Sequence, residues 1–212
     1  MLRTASNLAL PQTLAEIVDP SRSALLVYDM QVGITRQVKD APRIVNVIST
    51  LIGKARERGL RIAYSRHLSA PRAWLGATAT RTGMSWQRLQ DPTNVALPFA
   101  REAAATQIVP ELAPTADDLV FDKFAMSAFE GTHLTTMMRD CELSTLIICG
   151  IATEVGIDPT LRHAADLGFI PVMITDACGA GNLEAGERAV AALSFAGDTV
   201  MVTTEQLITA LG

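Results

Sequence analysis

Two charged residues each follow an apolar run of the sequence, and both are of types that move protons or bind anions. Asp29 follows the run 25–28, where a carboxylate is costly unless it is paired, solvated or at the ligand-binding end of a sheet. Lys123 follows the run 119–121 in the same way. If the two strands are neighbours, the two side chains meet at one end of the sheet. The alternatives are a helix-capping acid for Asp29 and a solvent-exposed lysine for Lys123.

A third segment combines an apolar run with two glycines. The run 146–149 turns at Gly150 into a helix pattern that begins near residue 154, and Gly156 lies in its first turn. Such a turn presents backbone N–H groups at the carboxyl end of a strand, where anionic groups bind. The alternative is a glycine-rich turn that binds nothing.

The three cysteines and three histidines do not have the spacing of metal ligands, so no metal site is predicted. Cys149 lies inside an apolar run and Cys141 follows a helix pattern, so both are expected to be structural. Cys178 follows a predicted strand, but no activating base or cation accompanies it in the sequence. His67 is a candidate for substrate contact, with a lone structural histidine as the alternative. Free thiols without metal spacing favour a cytoplasmic protein.

The elements that position these residues follow from alternating strand and helix patterns. Residues 23–28 form an almost continuous apolar run, typical of a strand buried on both faces. Apolar residues at helical spacing from Ile44 to Ala55 predict a helix that Gly59 ends. Thr203 and Gln206 form a capping box at the start of the last helix. Further strands are predicted at 61–65, 119–121, 143–149, 170–175 and 199–202, and further helices at 131–140, 154–167 and 183–196.

This alternation predicts an α/β fold, a three-layer αβα sandwich around a six-stranded parallel sheet. Residues 1–212 are expected to form a single domain, since a chain of 212 residues can bury a sizeable core and contains no linker. A net charge of −4 and a pI near 5.4 make nucleic acid and anionic membranes poor partners. No apolar run is long enough to span a bilayer, and no secretory signal is expected.

Residues 66–117 interrupt the alternation with several prolines and both tryptophans. A long irregular segment inside a domain is usually functional, and we expect a lid over the site or a contact between subunits. The alternative is that its aromatic residues only cover the edge of the core. Its arginines Arg72, Arg81 and Arg88 would favour a carboxylate-bearing small-molecule substrate through bidentate pairing.

Three segments together resemble the isochorismatase-like (cysteine hydrolase) superfamily. They are Asp29-Met-Gln31, Lys123 followed by Ser-Ala-Phe129, and Gly150-Ile-Ala-Thr-Glu-Val-Gly156, and the resemblance extends from Leu25 to Leu211. It implies that Asp29 and Lys123 share one pocket with the nucleophile. In the family's cysteine hydrolases that nucleophile is a cysteine, and its position here is Gly156. Isochorismatases also have glycine there.

The resemblance also implies a non-proline cis peptide between Ile151 and Ala152, with an oxyanion hole built from the amides of Ala152 and Gly156. It implies a homodimer or larger homo-oligomer and no cofactor. The expected catalytic residues are therefore Asp29, Lys123 and Gly156. The residues expected to contact substrate are Gln31, His67, Trp86, Ile151 and Ala152.

The function predicted from these residues is hydrolysis of a small molecule without a cysteine nucleophile, at a vinyl ether or at a C–N or C–O bond. One alternative is a catalytically inactive member with a binding or assembly role, and another is an amidohydrolase whose cysteine has been replaced by Gly156. The segment Ala152-Thr-Glu154 matches amidases of the family rather than isochorismatases, so isochorismate itself is not the expected substrate. Asp29→Asn is expected to abolish turnover without disturbing the fold. Gly156→Cys is expected either to leave activity unchanged or to create a thiol-sensitive amidase activity.

Overall fold

The structure, a computed structural model, describes residues 2–212. Helices and strands alternate along most of the chain. The strands are β1 (Ser23–Tyr28), β2 (Arg61–His67), β3 (Leu119–Lys123), β4 (Thr145–Ile151), β5 (Ile170–Gly179) and β6 (Val200–Val202). The helices are α1 (Leu14–Ile17), α2 (Val32–Thr35), α3 (Ala41–Glu57), α4 (Ala77–Gln87), α5 (Leu134–Asp140), α6 (Asp158–Asp166), α7 (Leu183–Ala196) and α8 (Thr204–Leu211).

All six strands join one parallel sheet in the order β3-β2-β1-β4-β5-β6. The prediction of an α/β fold with a six-stranded parallel sheet is therefore confirmed. Successive strands are added outward from β1 on one side of the sheet and outward from β4 on the other. β1 and β4 lie side by side, with Tyr28 opposite Gly150. In open α/β sheets such a switch point opens a crevice beyond the carboxyl ends of the strands, where ligands bind.

Helices cover both faces of the sheet because alternate residues of the central strands point to opposite sides. Leu25 and Val27 of β1 pack into one core with α3 and α8, whereas Leu26 and Tyr28 pack into a second core with α5, α6 and α7. Since all residues of β1 and β4 are buried, the continuous apolar runs of these strands reflect coverage on both faces.

Local signals placed several boundaries well. Strand β1 has the predicted bounds, helix α7 has the predicted bounds, and Thr203 forms the predicted capping box with Gln206 at the start of α8. Helix α5 begins at Leu134 and not at residue 131, because residues 124–133 form a series of turns held by side chains such as Thr132, whose Oγ1 bonds to the Ala128 carbonyl.

The segment between β2 and β3 is less irregular than its composition indicates. Residues 66 and 67 belong to β2, and an eleven-residue helix, α4, occupies 77–87. Short 3₁₀ turns lie at Arg72–Trp74, Pro92–Asn94, Ala104–Thr106 and Pro110–Leu112. Within residues 2–212, no helix is long and apolar enough to cross a membrane.

Candidate functional site

Asp29 turns the chain out of β1 at the switch point of the sheet. Its φ is +47°, in the left-handed region that Asp enters more readily than most residues. The side chain is 4% exposed, and both of its oxygens accept hydrogen bonds. Ser65 donates to Oδ1 at 2.5 Å, and Lys123 donates to Oδ2 at 2.8 Å. Such charge-assisted bonds stabilise a buried carboxylate.

Lys123 is a fully buried ammonium at the end of β3. Besides Asp29, its Nζ donates to the Ala125 carbonyl at 3.2 Å and lies 4.4 Å from the centroid of the Tyr28 ring. A buried ammonium requires such partners because it has lost its hydration. The predicted meeting of Asp29 and Lys123 is therefore present in the structure as a buried ion pair.

The strands that carry the pair, β1 and β3, are not neighbours. The expectation of adjacent strands was therefore wrong. β2 lies between β1 and β3, so the Lys123 side chain reaches across it to Asp29. The intervening strand adds a site residue that the sequence did not indicate. Ser65 accepts from the Asp29 N–H at 3.1 Å and donates to the same residue's carboxylate, and it thereby fixes the carboxylate relative to the sheet.

The turn after β4 lies beside this pair. The Ile151–Ala152 peptide is cis, as the resemblance implied, and Thr153–Ile157 forms a π-helical turn before α6. The amides of Val155, Gly156 and Ile157 all donate to the Ala152 carbonyl, at 3.3, 3.0 and 3.1 Å. The predicted oxyanion hole requires the Gly156 N–H to face the substrate, whereas in this structure it faces that carbonyl.

Gly156 is in contact with the phenol of Tyr28. A Cβ atom added to Gly156 would lie 2.7 Å from Cε1 of Tyr28 and closer still to Cζ and the hydroxyl. Cβ atoms in proteins do not approach other atoms so closely. Cysteine at 156 would therefore require the Tyr28 ring to move. Tyr28 is a site residue that the sequence did not indicate.

Gln31 has most of its hydrogen-bonding capacity engaged by backbone. Its Nε2 donates to the carbonyls of His67 and Thr106, each at 3.0 Å, and its Oε1 accepts from the His67 N–H at 2.7 Å. The side chain is fully buried. Gln31 thus joins the end of β2 to the segment that follows it. This structural role accounts for an amide side chain at position 31 without any contact to substrate.

His67 is partly buried beside the ion pair. Its ring packs edge-on against Phe99 at 5.9 Å, and its buried Nδ1 has no hydrogen-bond partner among residues 2–212. Burial, followed by the positive charge of Lys123, lowers the pKa of His67 below 6.5. A neutral imidazole with a free ring nitrogen is chemically able to bind a polar group of a substrate.

The depressed pKa of His67 makes stability depend on pH. The unfolded chain binds the proton near its ordinary pKa and the folded chain only at lower pH, so folding loses stability as pH falls below about 6.5. We expect His67→Gln to flatten this loss between about pH 7.5 and about 5.5, by at most about 1.4 kcal/mol per pH unit. Urea denaturation at each pH measures it. The matched control is His133→Gln at an exposed site, and equal profiles for both variants would contradict the expectation.

The remaining predicted contacts are differently placed. Ile151 is buried in the core shared with α3, so only its backbone faces the turn, and Ala152 is partly buried beside it. Trp86 is 60% exposed on α4. Arg72 donates to the carbonyls of Thr93 and Val95. Its guanidinium therefore holds its own segment together.

The three thiols lie away from the turn or are tied to backbone. Cys149 and Cys178 contact the carbonyls of Leu26 and Ile148, each at 3.7 Å. Burial raises the pKa of Cys149 well above its usual value and that of Cys178 to about 12. Cys141 lines a surface cavity of about 690 Å³ with Arg22 and Arg61, at the amino ends of β1 and β2. Within residues 2–212, no cluster of three His, Cys, Asp or Glu side chains could hold a metal.

Comparisons with known proteins place the chain in a family and support its fold. The family model described as Isochorismatase domain matches residues 23–206. The phenazine biosynthesis protein PhzD1 of Pseudomonas aeruginosa is 29% identical over 205 residues, 94% of this chain and 91% of that protein. The ureidoacrylate amidohydrolase RutB of Cronobacter turicensis is 29% identical over 174 residues, 74% and 75% of the two chains. A solved cysteine hydrolase from Pseudomonas syringae pv. phaseolicola has a similar fold, with a TM-score of 0.80 at 24% identity, over 92% of this chain and 94% of that one.

Proposed function

Because this chain belongs to the isochorismatase family, a family of small-molecule hydrolases, we propose that it hydrolyses a small molecule without a covalent intermediate on cysteine. The observation that carries the proposal is the composition of the site. An aspartate, a lysine and a backbone turn converge there, whereas residue 156 has no side chain, Cys149 is buried, Cys178 is half-buried, and the pKa values of both thiols are raised. A thiol that stays protonated is a poor nucleophile.

Asp29 is the group proposed to transfer the proton. For a vinyl ether, a protonated Asp29 gives its proton to the terminal carbon, water adds to the resulting oxocarbenium carbon, and a proton of that water returns to Asp29. The hemiketal then releases an alcohol and a carbonyl compound. Lys123 holds the carboxylate in place through its bond to Oδ2, and the Ser65 bond to Oδ1 is released so that Oδ1 can carry the proton.

The backbone of the turn favours this chemistry over acyl transfer. Hydrolysis of an amide or ester develops an oxyanion, which needs free donors, whereas the Gly156 amide is bonded to the Ala152 carbonyl at 3.0 Å. Protonation of a vinyl ether develops positive charge and needs no such donor. Cleavage of a C–N bond, the type of reaction that the name ureidoacrylate amidohydrolase describes for RutB, remains the alternative reaction and requires that amide to turn toward the substrate.

A second candidate is a member that binds a small molecule or assembles with other subunits without turnover. It is favoured by the engagement of both Asp29 oxygens and by the burial of Asp29 and Lys123, which are 4% and 1% exposed. A carboxylate so placed transfers a proton only after one of these bonds is released.

We further propose that the segment 66–117 borders the site of a single domain, residues 1–212, and acts as a lid or subunit contact in a homo-oligomer located in the cytoplasm. Support comes from His67, which lies near enough to Lys123 and Asp29 for their charges to affect its pKa, and from Phe99, whose ring packs against that of His67 at 5.9 Å. The exposed Trp86 and the exposed arginines Arg81 and Arg88 are the groups proposed to meet a carboxylate-bearing substrate.

The test is a substrate screen with two enzymes in parallel. Wild type and Asp29→Asn are incubated with vinyl ethers, amides, N-carbamoyl compounds and esters, and products are detected by mass spectrometry. We expect a substrate that wild type converts and Asp29→Asn does not. Wild type that folds normally and converts none of these compounds would favour the binding role.

Turnover is also expected to survive loss of the thiols. Treatment with iodoacetamide, or replacement of Cys178 by Ala, should leave kcat within about twofold of wild type, because the proposed steps use Asp29 and water. Kinetics on the substrate found in the screen measure this. A covalent substrate adduct on Cys178, detected by peptide mass spectrometry, would overturn the proposal.

A further inference from the structure

Tyr28 is a buried aromatic residue held from several sides within the site. It is the last residue of β1, directly before Asp29, and is 2% exposed. Its hydroxyl donates to the carbonyl of Met126, and the ammonium of Lys123 lies 4.4 Å from the centre of its ring. The phenol therefore has a hydrogen bond at its tip and a cation over its face, and both oppose rotation of the ring away from the turn.

The facing turn is equally fixed. Thr160 Oγ1 of α6 donates to the Gly156 carbonyl at 2.6 Å and accepts from the Ala128 N–H at 3.0 Å. Thr160 thereby ties the turn to Ala128, two residues from the Met126 carbonyl that accepts the Tyr28 bond. Gly156 does not have a positive φ, so its backbone conformation does not require glycine. The phenol of Tyr28 does, because it occupies the space that a side chain would need.

We propose that Tyr28 is a specificity-determining residue, which commits the site to reactions without covalent attachment at position 156 by filling the volume that a side chain there would need. The proposal rests on the proposed function in assigning this site to hydrolysis. The phenol is held in its neutral form because burial, and then the charge of Asp29, raises the pKa of Tyr28 well above 10. It thus adds no competing nucleophile.

Removing the ring has a chemical consequence. A cysteine at 156, in the turn directly before the nine-residue helix α6, would then share a cavity with the ammonium of Lys123. A cation and a helix amino terminus both lower the pKa of a thiol. Shortening Tyr28 is therefore expected to make room for a thiol and to expose it to groups that activate it.

The first test is a double-mutant cycle in thermal stability. In the wild-type background, Gly156→Ala is expected to lower Tm by about 5 °C or more, since the methyl group displaces a fixed ring. In a Tyr28→Val background the same change is expected to shift Tm by less than about 2 °C. If Tyr28→Val does not fold, Tyr28→Leu replaces it in the cycle. Equal shifts in both backgrounds, or no shift in either, would overturn the proposal.

The second test measures thiol reactivity. Gly156→Cys and Tyr28→Val/Gly156→Cys are treated with iodoacetamide at about pH 7, and alkylation is followed by peptide mass spectrometry. In the double variant, the introduced thiol is expected to react at least about tenfold faster than in the single variant. The half-buried Cys141 is the internal standard, since it lies at the other end of the sheet and its rate should not change. Equal rates at position 156 in the two variants would count against the proposal.

Neither test needs a substrate. A failed substrate screen therefore leaves the stability cycle and the alkylation rates interpretable, and a failed cycle leaves the thiol-independent turnover of the wild type to be judged by its own kinetics.

Discussion

Asp29→Asn is expected to destabilise the folded protein by about 3–5 kcal/mol, although the amide has the shape of the carboxylate. The reason is Lys123, whose side chain has no exposed surface and whose only anionic partner among residues 2–212 is Asp29. An amide leaves that ammonium buried without a counter-charge. The expectation of an undisturbed fold, drawn from the sequence, did not include this burial.

The prediction is checked by urea denaturation of three variants. Lys123→Met should be destabilised to a similar degree as Asp29→Asn, and the double variant should be much less destabilised than the sum, because it removes both charges. Glu184→Gln is the matched control, since its ion pair with Arg188 is exposed and is worth no more than about 0.5 kcal/mol. An Asp29→Asn variant as stable as this control would contradict the account of the site.

Loss of turnover in Asp29→Asn is expected to be about 10²- to 10⁴-fold, the usual contribution of a proton-transferring group. Kinetics must be measured well below the lowered Tm, with circular dichroism confirming that the variant is folded. Only then does the loss report on the chemistry of Asp29.

Gly150→Ala is expected to prevent the chain from folding or to destabilise it by about 4 kcal/mol or more. Gly150 has φ +129°, and a Cβ atom there would lie 2.9 Å from the backbone N and C atoms of Tyr28 and closer to its carbonyl oxygen. Backbone of a central strand cannot move aside as a side chain can. Both the strained φ and the collision therefore act on the pairing of β1 with β4.

Gly53→Ala is the control for this prediction. It lies inside α3 with open space around the added methyl group, so the same change should stabilise the protein by about 0.5–1 kcal/mol. Soluble yield and urea midpoints of the two variants measure the difference. If Gly150→Ala were as stable as Gly53→Ala, the close approach of the two strands would be wrong.

The sequence predicted the parts of the site that depend on parallel strands ending at one edge of the sheet, and not on the order of those strands. Asp29 and Lys123 end apolar runs, and parallel strands bring their carboxyl ends to one edge, so their meeting follows from alternation of strands and helices. The six-stranded sheet follows from the same pattern. These features depend on local periodicity, which a single sequence displays.

The parts that depend on tertiary approach could not be predicted. Ser65 lies in a strand pattern where a serine has no local signal of function, and its role follows only because β2 lies between β1 and β3. Tyr28 appeared as one apolar residue of a buried strand, and its contact with Gly156 joins positions far apart in sequence. Helix α4 was missed since its threonines and glycine are poor helix formers.

The hydrogen bonds of the Gln31 amide separate the segment between β2 and β3 into a part bonded to the chain after β1 and a part around α4 that lacks those bonds. Near that amide, the Val32 and Val109 N–H groups bond to the Gln107 and Met30 carbonyls. Residues 106–109 are therefore hydrogen-bonded to the chain one to three positions from Asp29. Residues 106–109 therefore cannot move far without also displacing the backbone next to Asp29. Any movement that admits substrate is therefore expected in the stretch around α4 and not in residues 106–109.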